Sequence, residues 1–367
     1  MNNLGASNFN HGARPAAAVV LVNLGTPDAP DTASVRRYLA EFLSDPRVVD
    51  LPRWQWWPIL HGVILRIRPR RSAHAYQQVW TDAGSPLMVH SEALVKAVAA
   101  KLSTVAAGPV LVRNAMRYGR PALGAVLREL QAANVRRILV LPMYPQYSGT
   151  TTGSVFDAFA DELKTWRWIP ELAFISDYYR HPGYAEALAE SVRQRWAHQD
   201  RRHLLFSFHG IPERYLHAGD PYHCQCHATA RQVAELLGLG ERDWTIAFQS
   251  RVGREPWLRP YTDETLAALP SRGIRAVDVI CPGFSVDCLE TLEEIAVENR
   301  DRFLAAGGEH YGYIPCLNES DEHVSLIAQL VRERCTHWPE FSATAMQEEI
   351  TTRPLVVERQ RKLARKE

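Results

Sequence analysis

The sequence predicts an α/β protein of two similar doubly wound lobes, each on a four-stranded parallel sheet flanked by helices, with a ligand cleft between them. Three observations predict it. Short apolar runs alternate with longer amphipathic stretches along the chain, the pattern of parallel strands covered by helices on both faces. The 367 residues are 46% hydrophobic and 23% charged, enough for a large core in two domains. Polar, glycine-containing segments stand where the apolar runs end, the rim on which such folds carry function.

The N-terminal lobe, residues 16–176, opens with a strand expected over 18–24 and a helix over 32–43. LPRWQWWPILHGVILRI, residues 51–67, puts three tryptophans among aliphatics. It is either ordinary core or a flexible apolar lip over a flat hydrophobic ligand, with Trp54 and Trp57 as candidate contacts. RPRR, residues 68–71, is a solvated charge cluster or a partner for ligand carboxylates. A helix over 92–102, strands over 110–116, 137–143 and 171–176, and a helix over 121–132 complete this lobe. The boundary falls near residues 176–181. The second lobe, 177–335, has strands expected over 203–208, 244–249, 275–280 and 309–314, with helices over 184–196, 228–237 and 287–304. Residues 336–367 form a polar extension ending in ERQRKLARKE, expected to pack as a surface helix or to fray.

Composition excludes several functions. Forty-two Lys and Arg against 41 Asp and Glu give a net charge of +1, no footprint for nucleic acid. No leader pattern opens the chain, and the longest apolar stretch is broken by Pro58, His61 and Arg66, so a cytoplasmic protein with no transmembrane segment is expected. No GxGxxG follows the first strand and no GxxxxGK[ST] occurs, which removes the usual support for nucleotide binding. The six cysteines include no CxxC pair. HCQCH, residues 223–227, reads as a metal site or, the preferred reading, as a structural or incidental segment.

Chemistry gathers in the second lobe. In LLFSFHGIPERY, His209 directly follows an expected strand, which would aim the imidazole into the cleft as base or metal ligand. Asp287, Glu290, Glu294 and Glu298 recur at spacings of three and four on one helix face. Asp287 and Glu290 fit an Asp-x-x-Glu capping box; the later carboxylates suit a hard or borderline cation or a proton relay. In the first lobe, YSGTTTGS, with Ser148 and Thr150, is a helix start with many caps or a binding loop for an anionic group.

LLFSFHGIPERYLHAGDPY and PGFSVDCLETLEEI, with YPQYSGTTTGS, FQSRVGREPWLRPYTDE and VLVNLGTP in the expected order, resemble the ferrochelatase family, enzymes that insert ferrous iron into a porphyrin. The resemblance spans about residues 19–331. It implies two Rossmann-like lobes of the chelatase-like kind holding protoporphyrin IX in the cleft. It places the metal-binding histidine on His209, the glutamate on Glu290 and an acidic path through Glu294, with Asp287 on the same face. Arg117 and Tyr118 correspond to positions near the macrocycle, and Tyr76 matches loosely. Coproporphyrin III is the alternative substrate, disfavoured by the tryptophan-rich lip. Two further alternatives are another tetrapyrrole chelatase and a non-enzymatic haem or porphyrin carrier. The chain departs from some members at Cys288, where they carry histidine; a thiol with an unperturbed pKa of about 8.5 relays protons less well. No cysteine follows Cys335, where others gather ligands for a [2Fe–2S] cluster, so no cofactor beyond substrate Fe²⁺ is expected. A monomer with weak membrane-surface contact through the lip is expected.

Overall fold

The computed structural model describes residues 15–253 and 255–364; the opening residues, read above for a leader, and the last three of the basic tail lie outside them. The first sheet holds β1 (Ala16–Thr26), β2 (Val110–Gly119), β3 (Val135–Pro142) and β4 (Glu171–Phe174) in the order β2-β1-β3-β4. The second holds β5 (His203–His209), β6 (Trp244–Gln249), β7 (Ala276–Ile280) and β8 (His310–Ile314) in the order β6-β5-β7-β8. Every pairing is parallel. The two orders are the same: in each, the chain steps to one side of the leading strand and then crosses to the other. Loops part at that reversal and leave a crevice beyond the strand ends. β1 and β5 lie inside their sheets, buried on both faces, which is why both read as unbroken apolar runs.

Of the elements that differ from expectation, three bear on the site. The helix expected over 287–304 is wound as a π-helix from Glu290 to Asn299 and becomes α-helical only at Arg300–Ala305. The helix expected over 228–237 begins earlier, Tyr222–Leu236, so HCQCH occupies its first two turns. The lip is helical: Arg53–Ile59, a π turn at Leu60–Ile64, and Leu65–Val79. Leu60, Leu65 and Tyr76 are buried in a cluster with Val35, Tyr38 and Leu39 of the helix Thr32–Leu43, and Trp56 Nε1 donates to the Leu43 carbonyl at 2.6 Å. Trp54 and Ile67 remain 76% and 70% exposed. No helix among the described residues is long and apolar enough to cross a membrane.

The lobes are joined at several points. Ser285 Oγ donates to the Met143 carbonyl at 2.9 Å, and Tyr147 N donates to Gln225 Oε1 at 2.7 Å. The C-terminal segment returns to the first lobe: Trp338 is buried and its Nε1 donates to Glu171 at 2.8 Å. Glu340, fully buried, takes a bidentate pair from Arg137 Nε and Nη2 at 2.7 and 2.6 Å. The helix Ala343–Ala364 follows. Glu340→Ala leaves the Arg137 guanidinium, 13% exposed, with only the more distant Glu349 at 3.9 Å, and is expected to cost up to about 3–5 kcal/mol. Urea denaturation checks this; an unchanged midpoint would show the pair to be dispensable.

Candidate active site

His209 is the last residue of β5, paired in register with Gln249 at the end of β6. β7 stops at Ile280, opposite Phe206, so the imidazole projects past its neighbour into the crevice. Gly210 permits the turn that follows: a Cβ there would sit 3.0 Å from the Gln249 carbonyl and 3.2 Å from the Trp257 ring. His209 Nδ1 lies 2.6 Å from the Gly210 carbonyl. A carbonyl only accepts, so Nδ1 carries the proton and Nε2 of the neutral ring keeps a free lone pair. Burial pushes the imidazole below its ordinary pKa, partly opposed by the charge of Glu290. His209 is therefore a neutral base or ligand at neutral pH.

Facing it is the start of the π-helix. Gln249 Nε2 donates to the Glu290 carbonyl at 3.0 Å and its Oε1 accepts from Ser207 at 2.7 Å, tying β5, β6 and the helix start together. The charge of Glu290 is felt by Tyr38, Tyr76, Tyr144 and Arg68. Burial, with a smaller contribution from the Glu290 charge, holds all three phenols well above their ordinary pKa. Arg68 is pushed down by burial and held up by Glu290. The Tyr144 hydroxyl is buried with no hydrogen-bond partner among the described residues. Cys288 is raised well above its ordinary value by burial and then by Glu290, and stays a thiol. Tyr38 escaped the sequence reading, because a single tyrosine in an apolar segment looks like core; Tyr144, Gln249 and Ser250 lie within the quoted YPQYSGTTTGS and FQSRVGREPWLRPYTDE segments but were not singled out.

Glu294 lies one step further along. Ser250, in the left-handed region at φ 65°, turns its N–H to Glu294 Oε1 at 2.8 Å and its hydroxyl to Oε2. Burial outweighs these bonds, and with the charges of Glu290 and Glu298 raises the carboxyl from 4.5 to about 7. The native state then holds this proton up to about pH 7, whereas the unfolded chain releases it near 4.5. Native protein binds more protons in that window, so stability falls as pH rises through it, by up to about 3 kcal/mol. Glu294→Gln is expected to be more stable than the parent at pH 8 and equal to it below pH 4.5. Chemical denaturation at both pH values checks this, and a pH-independent difference would contradict it.

The other expected residues are drawn into different contacts. Asp287 is buried, and its carboxylate accepts from Thr291 at 2.9 Å, from Asn318 at 2.8 Å and from Tyr313. That network anchors the turn before Glu290, in place of the capping box expected there. Tyr118 donates to Asp45 at 2.8 Å, and Arg117 binds both Asp45, at 2.5 Å, and Ser154. The YSGTTTGS loop does hold an anion, but it is the protein's own Asp220: Ser148 Oγ and Gly149 N donate to it at 2.9 and 2.8 Å, and Thr150 turns back on Ser148 at 3.0 Å. Trp57 stacks on His61 with ring centroids 4.7 Å apart. Phe284 meets the His209 ring at 6.4 Å. The structure thus brings His209, Glu290, Glu294 and Tyr76 together. Asp287, Arg117, Tyr118, Ser148 and Thr150 hold the walls around them, and Trp54 and Trp57 stand on the lip.

Comparison with known proteins places the chain in a family. The model of the family described as ferrochelatase matches residues 16–335. A ferrochelatase of Thioalkalivibrio sulfidiphilus is 55% identical over 348 residues, covering 94% of each chain. One of Nitrosococcus oceani is 53% identical over 341 residues, covering 93% of this chain and 92% of its own. The solved structure of SirB from Bacillus subtilis with Fe³⁺ superposes with a TM-score of 0.52 at 10% identity, over 89% of this chain and 99% of that one, a likeness of fold. The family match over most of the chain, together with relatives above half identity, shows that this chain belongs to the ferrochelatase family.

Proposed function

We propose that this protein inserts ferrous iron into protoporphyrin IX to make protohaem, the closing step of haem biosynthesis and a lyase reaction. The observation that supports this reading beyond family membership is the pairing of a neutral His209, its Nε2 unprotonated, with Glu290 across the crevice. Insertion exchanges two pyrrole N–H protons for one Fe²⁺ and releases two H⁺. The ring must be bent so that nitrogen lone pairs leave its plane, and binding energy from the apolar walls and propionate contacts offsets that cost of a few kcal/mol. In this reading His209 Nε2 takes a pyrrole proton or holds the incoming metal, and Glu290 does the other. Glu294, titrating near neutrality, receives protons from Glu290 and returns them to water. Two protein ligands suffice, because a metal to be surrendered to four pyrrole nitrogens must not be held in a closed cage. Arg68, on the lip beside Glu290, suits a propionate. Asp287, Arg117, Tyr118, Ser148 and Thr150 act as positioning residues, and Tyr76 contacts the ring. The exposed Trp54, Trp57 and Ile67 support weak contact with a membrane surface. We take the working unit to be a monomer with no resident cofactor.

Anaerobic Fe²⁺ insertion, followed by absorbance with protoporphyrin IX and coproporphyrin III side by side, tests the reading. Faster turnover of protoporphyrin is expected. Faster turnover of coproporphyrin would transfer the assignment to the four-propionate ring. Tight porphyrin binding without turnover would make the protein a carrier.

A further inference from the structure

HCQCH is absorbed by none of the chemistry above, and the helix Tyr222–Leu236 pulls it apart. Cys226 turns into the core and is fully buried, whereas Cys224 is exposed. His223 and His227 fall one turn apart on one face, with ring centroids 4.4 Å apart and planes tilted by 49°. Both rings rest on Phe248, at 5.7 and 6.3 Å. Both are half-buried, and neither ring has a hydrogen bond or ion pair among the described residues, so their nitrogens are left for a ligand. Burial pushes both below the ordinary histidine pKa, His227 to about 4 with added repulsion from His223 and Arg231. The two imidazoles stand side by side on one helix face, one turn apart.

We propose that His223 and His227 bind one borderline divalent cation of the Zn²⁺, Ni²⁺ or Cu²⁺ class, at a site distinct from the iron-insertion crevice. Imidazole pairs at i and i+4 on a helix are a natural chelate for such ions. The remaining positions go to water, since no group of three or more His, Cys, Asp or Glu among the described residues is arranged to hold a metal. Arg231, a turn further on, weakens the site without blocking it. The separation from the crevice follows from β6. Phe248, under the histidines, and Gln249, which holds the Glu290 carbonyl, are consecutive and so point to opposite faces of the sheet. His209 pairs with Gln249, not with Phe248. The proposed ion would sit on the helix that also carries Gln225 and Thr229, which bond Tyr147 and Gln146 of the first lobe. It would stiffen the side of the interlobe joint.

The test is calorimetric titration of the full chain with Zn²⁺ alone, porphyrin absent, in the parent and in His209→Ala, His223→Ala and His227→Ala. A one-equivalent site that persists in His209→Ala is expected. Each of the other two substitutions should weaken it by about 10–100-fold or more, since loss of an outer-shell partner alone costs that much. In the His209→Ala protein, Cu²⁺ should give an electron paramagnetic resonance spectrum with coupling to two imidazole nitrogens, a readout that needs no variant of the site itself. Zn²⁺ binding that vanishes in His209→Ala, or that is unchanged in both His223→Ala and His227→Ala, would overturn the proposal. Failure of porphyrin metallation would not, because the titration uses no porphyrin.

Discussion

His209→Ala is expected to lower Fe²⁺ insertion by about 10²–10⁴-fold, the usual worth of a positioned acid–base group, while leaving porphyrin affinity within a few-fold of the parent. The imidazole is set at the end of a strand buried in the sheet, so nothing nearby can swing into its place. Gly210 fixes its tautomer through the Nδ1 bond, and burial keeps it neutral. Alanine removes the lone pair without disturbing Ser207 and Gln249, which hold the strand end. Stopped-flow absorbance with Fe²⁺ in excess measures the step, and fluorescence quenching measures binding. Partial recovery with added free imidazole is expected, because the space vacated is the size of the ring. A variant that retained more than about a tenth of the parent rate would remove His209 from the acid–base and metal-binding roles.

Glu290→Gln is the second large effect, with an expected loss also of about 10²–10⁴-fold in turnover. Glutamine keeps the shape and an acceptor oxygen but cannot take a proton, so it separates charge from bulk. The backbone at this position is held by Gln249 from β6 and the turn before it by Asp287, Thr291 and Asn318, so the π-helix should keep its start. With the negative charge gone, His209 loses the partner that raises its proton affinity, and its pKa should fall further. That shift, read by NMR titration of the ring, distinguishes loss of a proton relay from simple disruption. An unmoved histidine titration together with full activity would show that the two groups do not work as a pair.

The sequence carried the sheets well because their chemistry is local. β1 and β5 are apolar without interruption, which only a strand covered on both faces requires. It carried His209 for the same reason: a polar ring closing such a strand has to meet its partner beyond the sheet, where the crevice lies. The acidic face was legible as a spacing, but the spacing did not distinguish Glu290 and Glu294, which face the crevice or titrate near neutrality, from Asp287. Asp287 is claimed by Tyr313 and Asn318, 26 and 31 positions away. The π winding left no trace in the pattern, because residues four apart stay near one another under either hydrogen-bond scheme. The YSGTTTGS loop was readable as an anion cradle, yet its anion comes from Asp220, 72 residues beyond Ser148. The lip read only as an apolar stretch interrupted by Pro58, a residue that argues against a helix interior, yet it proved helical with Pro58 inside Arg53–Ile59.

The Arg137–Glu340 clasp has a consequence for how the protein comes into being. A ribosome delivers the first lobe complete in its strands by Phe174, yet the carboxylate that neutralises Arg137 is made 166 residues after that point. At about 5–20 residues per second this is a wait of roughly 8–33 s. During translation the nascent first lobe must therefore exist with a guanidinium open to water on β3 and with no indole yet at Glu171. Final closure belongs to the finished chain, and a protein cut anywhere before residue 340 would remain a permanent version of that transient.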